Sequence, residues 1–260
     1  EGLDKANFLW GNSETYNRYY EDYQNFISRP EKVLQNLVSS QKERQFLVIT
    51  TDLSKCYDRI DCQSLIKKIQ KEIVVHSSQE KKFLQCLKRI FRWEWDQADR
   101  NLIETYRRDL EDKTLEEENH NIGIPQGLVI SGFLANIYLL DFDNKIKDLI
   151  SAEQNICIND CSYTIIDYCR YVDDMRFVLR INTYANNIEE KNFTQHFSQY
   201  IQGILDQFAS GQKINQTKTS LSHVDFSKNF NIIAEQLREL KFRTSGPMDE
   251  HNAWEVLKLN

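Results

Sequence analysis

The sequence predicts an α+β fold in which an antiparallel sheet is backed by helices. Three observations carry this. Residues 46–52 are a short run rich in β-branched and apolar residues that ends in Asp52, where the pattern changes. Residues 163–170 and 175–179 are two more such runs, separated by four residues, which marks a hairpin spanning about 163–180. Elsewhere apolar residues recur at helical spacing, most clearly Phe193, Phe197, Ile201, Ile204, Leu205 and Phe208.

Taken in order, residues 1–40 are aromatic-rich (Phe8, Trp10, Tyr16, Tyr19, Tyr20, Tyr23, Phe26) and read as mostly helical. After strand 46–52 a helix is expected from about residue 63, because Leu65, Ile66, Ile69 and Ile73 share one face. A helix over 80–96 and a charged helical stretch follow. A glycine-proline turn then opens an apolar helix over about 129–149. Beyond the hairpin come a long helix over 186–210 and a short strand pair near 214–224. Residues 228–260 read as helix, a break at Ser245, Gly246 and Pro247, and a second helix. No internal repeat or low-complexity linker divides the chain, so one sheet-centred unit is expected.

With 260 residues, 40% hydrophobic and 28% charged, the chain can bury a sizeable core. Its net charge of −6 is unlike that of a typical nucleic-acid binder. The charge is uneven, however. Between Lys67 and Arg92 eight Lys or Arg face two Glu, whereas between Glu104 and Glu118 seven acids face three basic residues. The basic part mixes lysines with aromatics over 81–95, which suits phosphate contact and base stacking. An amphipathic helix with buried aromatics and solvated lysines accounts for it more simply. The acidic stretch reads as a solvated helix or loop.

Six scattered cysteines (56, 62, 86, 157, 161, 169) and five dispersed histidines give no zinc-ligand spacing, and no phosphate-binding glycine loop is present. With no secretory signal and no apolar run long enough to cross a membrane, reduced thiols, a cytoplasmic location and no membrane partner are expected.

The chemistry concentrates in three places. Tyr171, Val172, Asp173 and Asp174 put two adjacent carboxylates at a hairpin tip, where they repel unless a cation lies between them. Asp52, at the end of a strand, can reach such a tip from a neighbouring strand. Together they form the carboxylate platform that two-metal phosphoryl transfer needs, its ions about 3.5–4 Å apart. Mg²⁺ takes only one or two protein carboxylates and completes its shell with water and phosphates, so few acids suffice. In the third place, Pro125, Gln126 and Gly127 precede an apolar helix that carries Ser131. Gly127 allows close backbone approach to a ligand, and Gln126 offers an amide.

In this order the segments resemble the palm of a reverse transcriptase, over roughly residues 40–225. Asp52 through Tyr57 matches motif A, an Asp, four intervening residues and then an aromatic; Pro125, Gln126, Gly127 and Ser131 match motif B. Tyr171 to Asp174 matches the Tyr-x-Asp-Asp of motif C, and Asn215 with Lys218 and Thr219 is similar to motif D. The wording around Arg170 to Val178 resembles prokaryotic enzymes, defence-associated (abortive-infection type) ones above all, with retron and group II intron enzymes as near neighbours.

The resemblance implies a right-hand polymerase palm with partial fingers. Residues 1–45 would be a partial-fingers or N-terminal helical segment, 46–225 the palm with fingers insertions, and 226–260 the helical start of a thumb or a C-terminal extension. It implies Mg²⁺, with Mn²⁺ as a substitute, held by Asp52 and Asp173 with Asp174 in support. Tyr57 would lie under the sugar of the incoming nucleotide and select against a 2′-hydroxyl. Gln126 and Gly127 would line the nucleotide pocket, with Ser131 beside the template path. Lys218 would either meet the pyrophosphate or face solvent. Tyr171 is expected to pack, and Asp58 to fix the turn into the next helix rather than bind metal.

The implied partners are deoxynucleoside triphosphates, an RNA template and its DNA product; an associated non-coding RNA and a homo-oligomer are allowed. Protein-primed synthesis without a template and a non-catalytic nucleic-acid-binding relic are the alternatives. The strands that should hold the triphosphate ought to lie mainly upstream, yet only 51 residues precede Asp52, and the part after motif D is short for a thumb, so a fragment of a longer protein is expected.

Overall fold

The computed structural model describes residues 19–38, 45–72, 77–91, 98, 102, 105, 123–158, 161–183 and 190–224. The elements are, in order, α1 (Tyr19–Val38), β1 (Phe46–Asp52), α2 (Cys62–Glu72), α3 (Ser78–Ile90) and α4 (Val129–Ser151). Strands β2 (Asn155–Ile158), β3 (Cys161–Tyr171) and β4 (Asp174–Thr183), helix α5 (Glu190–Phe208) and strand β5 (Ser220–Val224) follow. One sheet contains all five strands in the order β2-β3-β4-β1-β5, each neighbouring pair antiparallel. The predicted α+β class is the one observed.

All seven residues of β1 are buried. Strand side chains alternate between faces, so a strand buried throughout needs cover on both sides. Phe46 and Val48 pack with Leu34 of α1 and Val178 of β4 on one face. Leu47 and Ile49 join the larger core on the other, with Leu65 of α2, Tyr138 and Phe142 of α4, and Phe197 and Ile201 of α5. Each such side chain, fully buried, contributes about 1.5–3 kcal/mol.

The helix ends depart from expectation in instructive ways. Helix α3 starts at Ser78 because Ser77 forms a capping box: its Oγ accepts from the Glu80 amide at 3.2 Å, and its own amide donates to Glu80 Oε2 at 2.7 Å. Asp61 caps the start of α2, its carboxylate accepting from the Gln63 and Ser64 amides at 3.2 and 2.9 Å. The strand pair near 214–224 does not pair with itself. Strand β5 instead pairs with β1, and Ile214 makes an isolated bridge to Leu53.

On α3, Leu87 and Phe91 are core residues, as the amphipathic reading requires, but Phe83 is half exposed. Residues 92–95, nearly all of the acidic stretch 104–118, the first eighteen residues and the helices expected over 228–260 lie outside the described residues. None of the described helices is long and apolar enough to cross a membrane, and all six cysteines are free.

Candidate active site

Strand register brings the acids together. Across the β1–β4 ladder Asp52 lies directly opposite Asp174, and across β3–β4 Asp174 lies opposite Tyr171. Side chains at opposed positions share a face, so Asp52 and Asp174 are neighbours although 122 residues apart in sequence. The turn between β3 and β4 is only Val172 and Asp173, and Val172 has φ +56°. A β-branched residue in that region is strained, and such strain persists where surrounding contacts fix it.

Backbone hydrogen bonds tie four separate segments around Asp52. The Leu53 amide donates to the Asp173 carbonyl at 3.1 Å, linking the strand end to the turn. The Asn215 amide donates to the Asp52 carbonyl at 2.9 Å, and the Ser54 amide to Lys213 at 2.8 Å. The turn after β1 is held to the loop before α4 by Gly123 donating to Ile60 at 2.8 Å and Ile124 to Tyr57 at 3.0 Å.

Asp52 itself is 7% exposed. Its Oδ2 accepts from Lys218 Nζ at 3.0 Å and from Asn215 Nδ2 at 3.5 Å, while its Oδ1 is buried with no hydrogen-bond partner. Burial, then Asp173, then Asp52 push the Asp174 carboxyl up to about 7. Asp173 is also raised, chiefly by burial, with Asp52 adding to the shift and Lys218 and Arg170 opposing it. Two carboxyls that resist ionising, beside a third acid with an orphaned buried oxygen, form a site short of positive charge.

Among the described residues no group of three or more His, Cys, Asp or Glu closes into a metal cage. The donor set is instead an open floor of carboxylates, which suits Mg²⁺ because that ion retains water and phosphate ligands.

The other predicted site residues fall as follows. Tyr57 is partly buried against the core, beside the loop before α4. Gln126 and Gly127 are exposed on that loop. Gly127 has φ +89° with open space around a built Cβ, so backbone conformation rather than room demands glycine there. Ser131 is 2% exposed and donates to the Pro125 carbonyl at 2.6 Å, which fixes the loop onto α4. The Lys218 side chain is half exposed on Asp52. Tyr171 packs on α1, its ring 5.3 Å from Tyr23 and 5.8 Å from Phe26.

Sequence reasoning passed over Asp143 and gave Arg170 and Asn215, quoted only as parts of motifs, no role of their own. Arg170 adjoins the turn, and its guanidinium makes a bidentate pair with Asp143 of α4. Asn215 stands three residues before Lys218 and touches Asp52 through both backbone and side chain. The one available signal was their place beside the acids and the lysine.

The family model described as reverse transcriptase (RNA-dependent DNA polymerase) matches residues 14–243. The chain belongs to the reverse transcriptase family. Among solved structures, this reverse transcriptase chain is similar to apo telomerase from Candida tropicalis truncated from its C-terminal domain. That match has 18% identity and a TM-score of 0.42, and covers 86% of this chain and 40% of the other. It is also similar to telomerase from Candida albicans in complex with a TWJ fragment of telomeric RNA, at 17% identity and TM-score 0.42, over 86% of this chain and 34% of that one. The reverse transcriptase chain thus spans two fifths or less of these structures. No curated protein matches it.

Proposed function

We propose that this chain is the catalytic part of an RNA-directed DNA polymerase that adds deoxynucleotides by two-metal-ion phosphoryl transfer. The observation that carries the proposal is Asp52 lying opposite Asp174 and tied through Leu53 to Asp173, with its Oδ1 buried and unpaired. Asp52, Asp173 and Asp174 would hold Mg²⁺ or Mn²⁺, which would favour deprotonation of the primer's 3′-hydroxyl and neutralise charge on the leaving oxygen. The chain's own share is positioning and charge, which is most of what phosphoryl transfer requires of a protein. Lys218, half exposed beside Asp52, would take the charge of departing pyrophosphate. Tyr57 would rest under the incoming sugar, with Gln126 and Gly127 at the mouth of the pocket.

Deoxynucleoside triphosphates, an RNA template and its DNA product are the proposed partners, with an associated non-coding RNA as a further one. We place the enzyme in prokaryotic antiviral defence, because its residues around 170–178 resemble defence-associated enzymes, and in the cytoplasm, because all six cysteines are free thiols.

The test is incorporation of labelled deoxynucleotide on a primed RNA template with Mg²⁺. Wild type should extend the primer, and Asp173→Ala should fall to background. Incorporation by the Asp173→Ala chain, or none by wild type, would end the proposal. DNA covalently attached to the purified protein would move it to protein-primed synthesis.

A further inference from the structure

Arg170, immediately before the catalytic turn, is a buried cation engaged on every side. Its side chain is 7% exposed. Nε and Nη2 donate to Asp143 Oδ1 and Oδ2 at 3.0 and 2.6 Å, a fork that fixes the plane of the guanidinium. Nη1 donates to the Val172 carbonyl at 2.6 Å and to Asn136 Oδ1 at 2.9 Å. Asp143 is steadied in turn by the Tyr168 hydroxyl, which donates to Oδ1 at 2.8 Å. Asn136 and Asp143 lie seven residues apart on α4, hence on one face of that helix. A single side chain therefore joins the helix behind the Gln126–Gly127 loop to the turn that carries Asp173.

The turn needs such a restraint for two reasons. Val172 holds φ +56°, a conformation a valine leaves when nothing enforces it. Asp173 and Asp174 also repel each other and Asp52, so an unrestrained turn would relax by moving the carboxylates apart. The Val172 carbonyl is the group Arg170 grips, and the next carbonyl, of Asp173, is held by the Leu53 amide. Apolar residues of similar volume often stabilise as well as a buried ion pair, so a role in fixing one geometry is the one argued for this pair.

We propose that Arg170, anchored by Asp143, is a positioning residue that holds the 171–174 turn in its positive-φ form and so aims Asp173 and Asp174 at the metal site. This rests on the polymerase function proposed above, but makes separate predictions.

Arg170→Lys keeps a cation against Asp143 yet cannot fork and reach the Val172 carbonyl together. Its kcat for incorporation should fall about tenfold to a hundredfold, with the deoxynucleotide KM unchanged, and Mn²⁺ affinity by calorimetry should weaken by a similar factor. Exchange of the Leu53 amide proton should speed up with no metal present. Glycine takes positive φ unaided, so adding Val172→Gly to Arg170→Lys should recover most of the lost cation affinity and kcat. A merely structural arginine would not be rescued this way. Arg170→Lys with wild-type cation affinity and Leu53 exchange, or a double variant no better than Arg170→Lys, would overturn the proposal. A wild-type chain that fails to incorporate nucleotide would instead defeat the polymerase assignment, leaving cation affinity and amide exchange to decide the role of Arg170.

Discussion

At Asp174 burial and two neighbouring carboxylates act in the same direction, and the consequence for stability has a definite sign. The unfolded chain releases this proton near 3.8, whereas the folded chain holds it to about 7. Between those values the folded state binds more protons, so its stability falls as pH rises through that window, is fully present below it and is lost above it. In metal-free buffer, the melting temperature of wild type relative to Asp174→Asn should therefore decline from pH 5 to pH 8. By pH 8 the Asn variant should be the more stable, by on the order of 2 kcal/mol. Mg²⁺ should raise the wild-type melting temperature at pH 8 and leave the variant little changed, and the variant should not incorporate nucleotide. An Asn variant that is less stable at pH 8 would mean that the acids do not strain one another. Lys218 offers the contrast. Its side chain is half exposed although its partner Asp52 is buried, so solvent screens the pair from the lysine side, and Lys218→Met should cost about 1 kcal/mol in denaturant titration while lowering kcat. The three acids and this lysine were legible because each sits in a fixed local pattern. Arg170 and Asp143 were not, because the pair that gives each its role spans 27 residues and exists only once β3 lies against α4.

At the scale of elements, the hairpin shows what a local pattern specifies and what it omits. Two β-rich runs four residues apart dictated the pairing of β3 with β4, but no residue type announced a positive φ at Val172, since valine is among the last residues expected there. Val172→Gly alone should remove about 1–3 kcal/mol of strain, offset by about 0.5–1 kcal/mol for the greater freedom of glycine in the unfolded chain. A small net gain in chemical-denaturation stability is expected, and a loss would show that the turn is not strained. Gly127 gives the opposite case. Alanine meets no atom there, yet φ +89° still disfavours it, so Gly127→Ala should destabilise by about 1–2 kcal/mol without disturbing the core. The start of α3 was legible in Ser77 and Glu80, whose spacing is that of a capping box. The partner of β5 was not, because five residues with no apolar alternation pair with β1 only through the global sheet order.

For the whole molecule, the decisive fact is that helices cover the sheet on both faces but hold it unequally. The larger core joins α2, α4 and α5 to one face. The other face is closed by α1 through Leu34 over Phe46, Val48 and Val178, with Arg29 pairing with Asp167 at 2.7 Å at its edge. Strand order was hidden in the sequence, because β1 sits between β4 and β5, both far along the chain. The burial of Phe46 to Ile49 nevertheless followed from their unbroken apolar run once two covers were present, whereas that of Thr50, Thr51 and Asp52 did not. An element resting on so small a cluster should open before the rest, so α1 amides should exchange at lower free energy than those of β1, β4 and α4. Leu34, 1% exposed, is the test position: Leu34→Ala should remove about 2–5 kcal/mol from the protection of α1 and much less from that of the central strands. The effect should reach the site, because Tyr23 and Phe26 of α1 support the Tyr171 ring at the mouth of the turn. Incorporation by Leu34→Ala should accordingly fall at temperatures where α1 opens while β1 and β4 remain protected. If α1 and the central strands lose protection together, the two cores form one cooperative unit and the site has no weaker side.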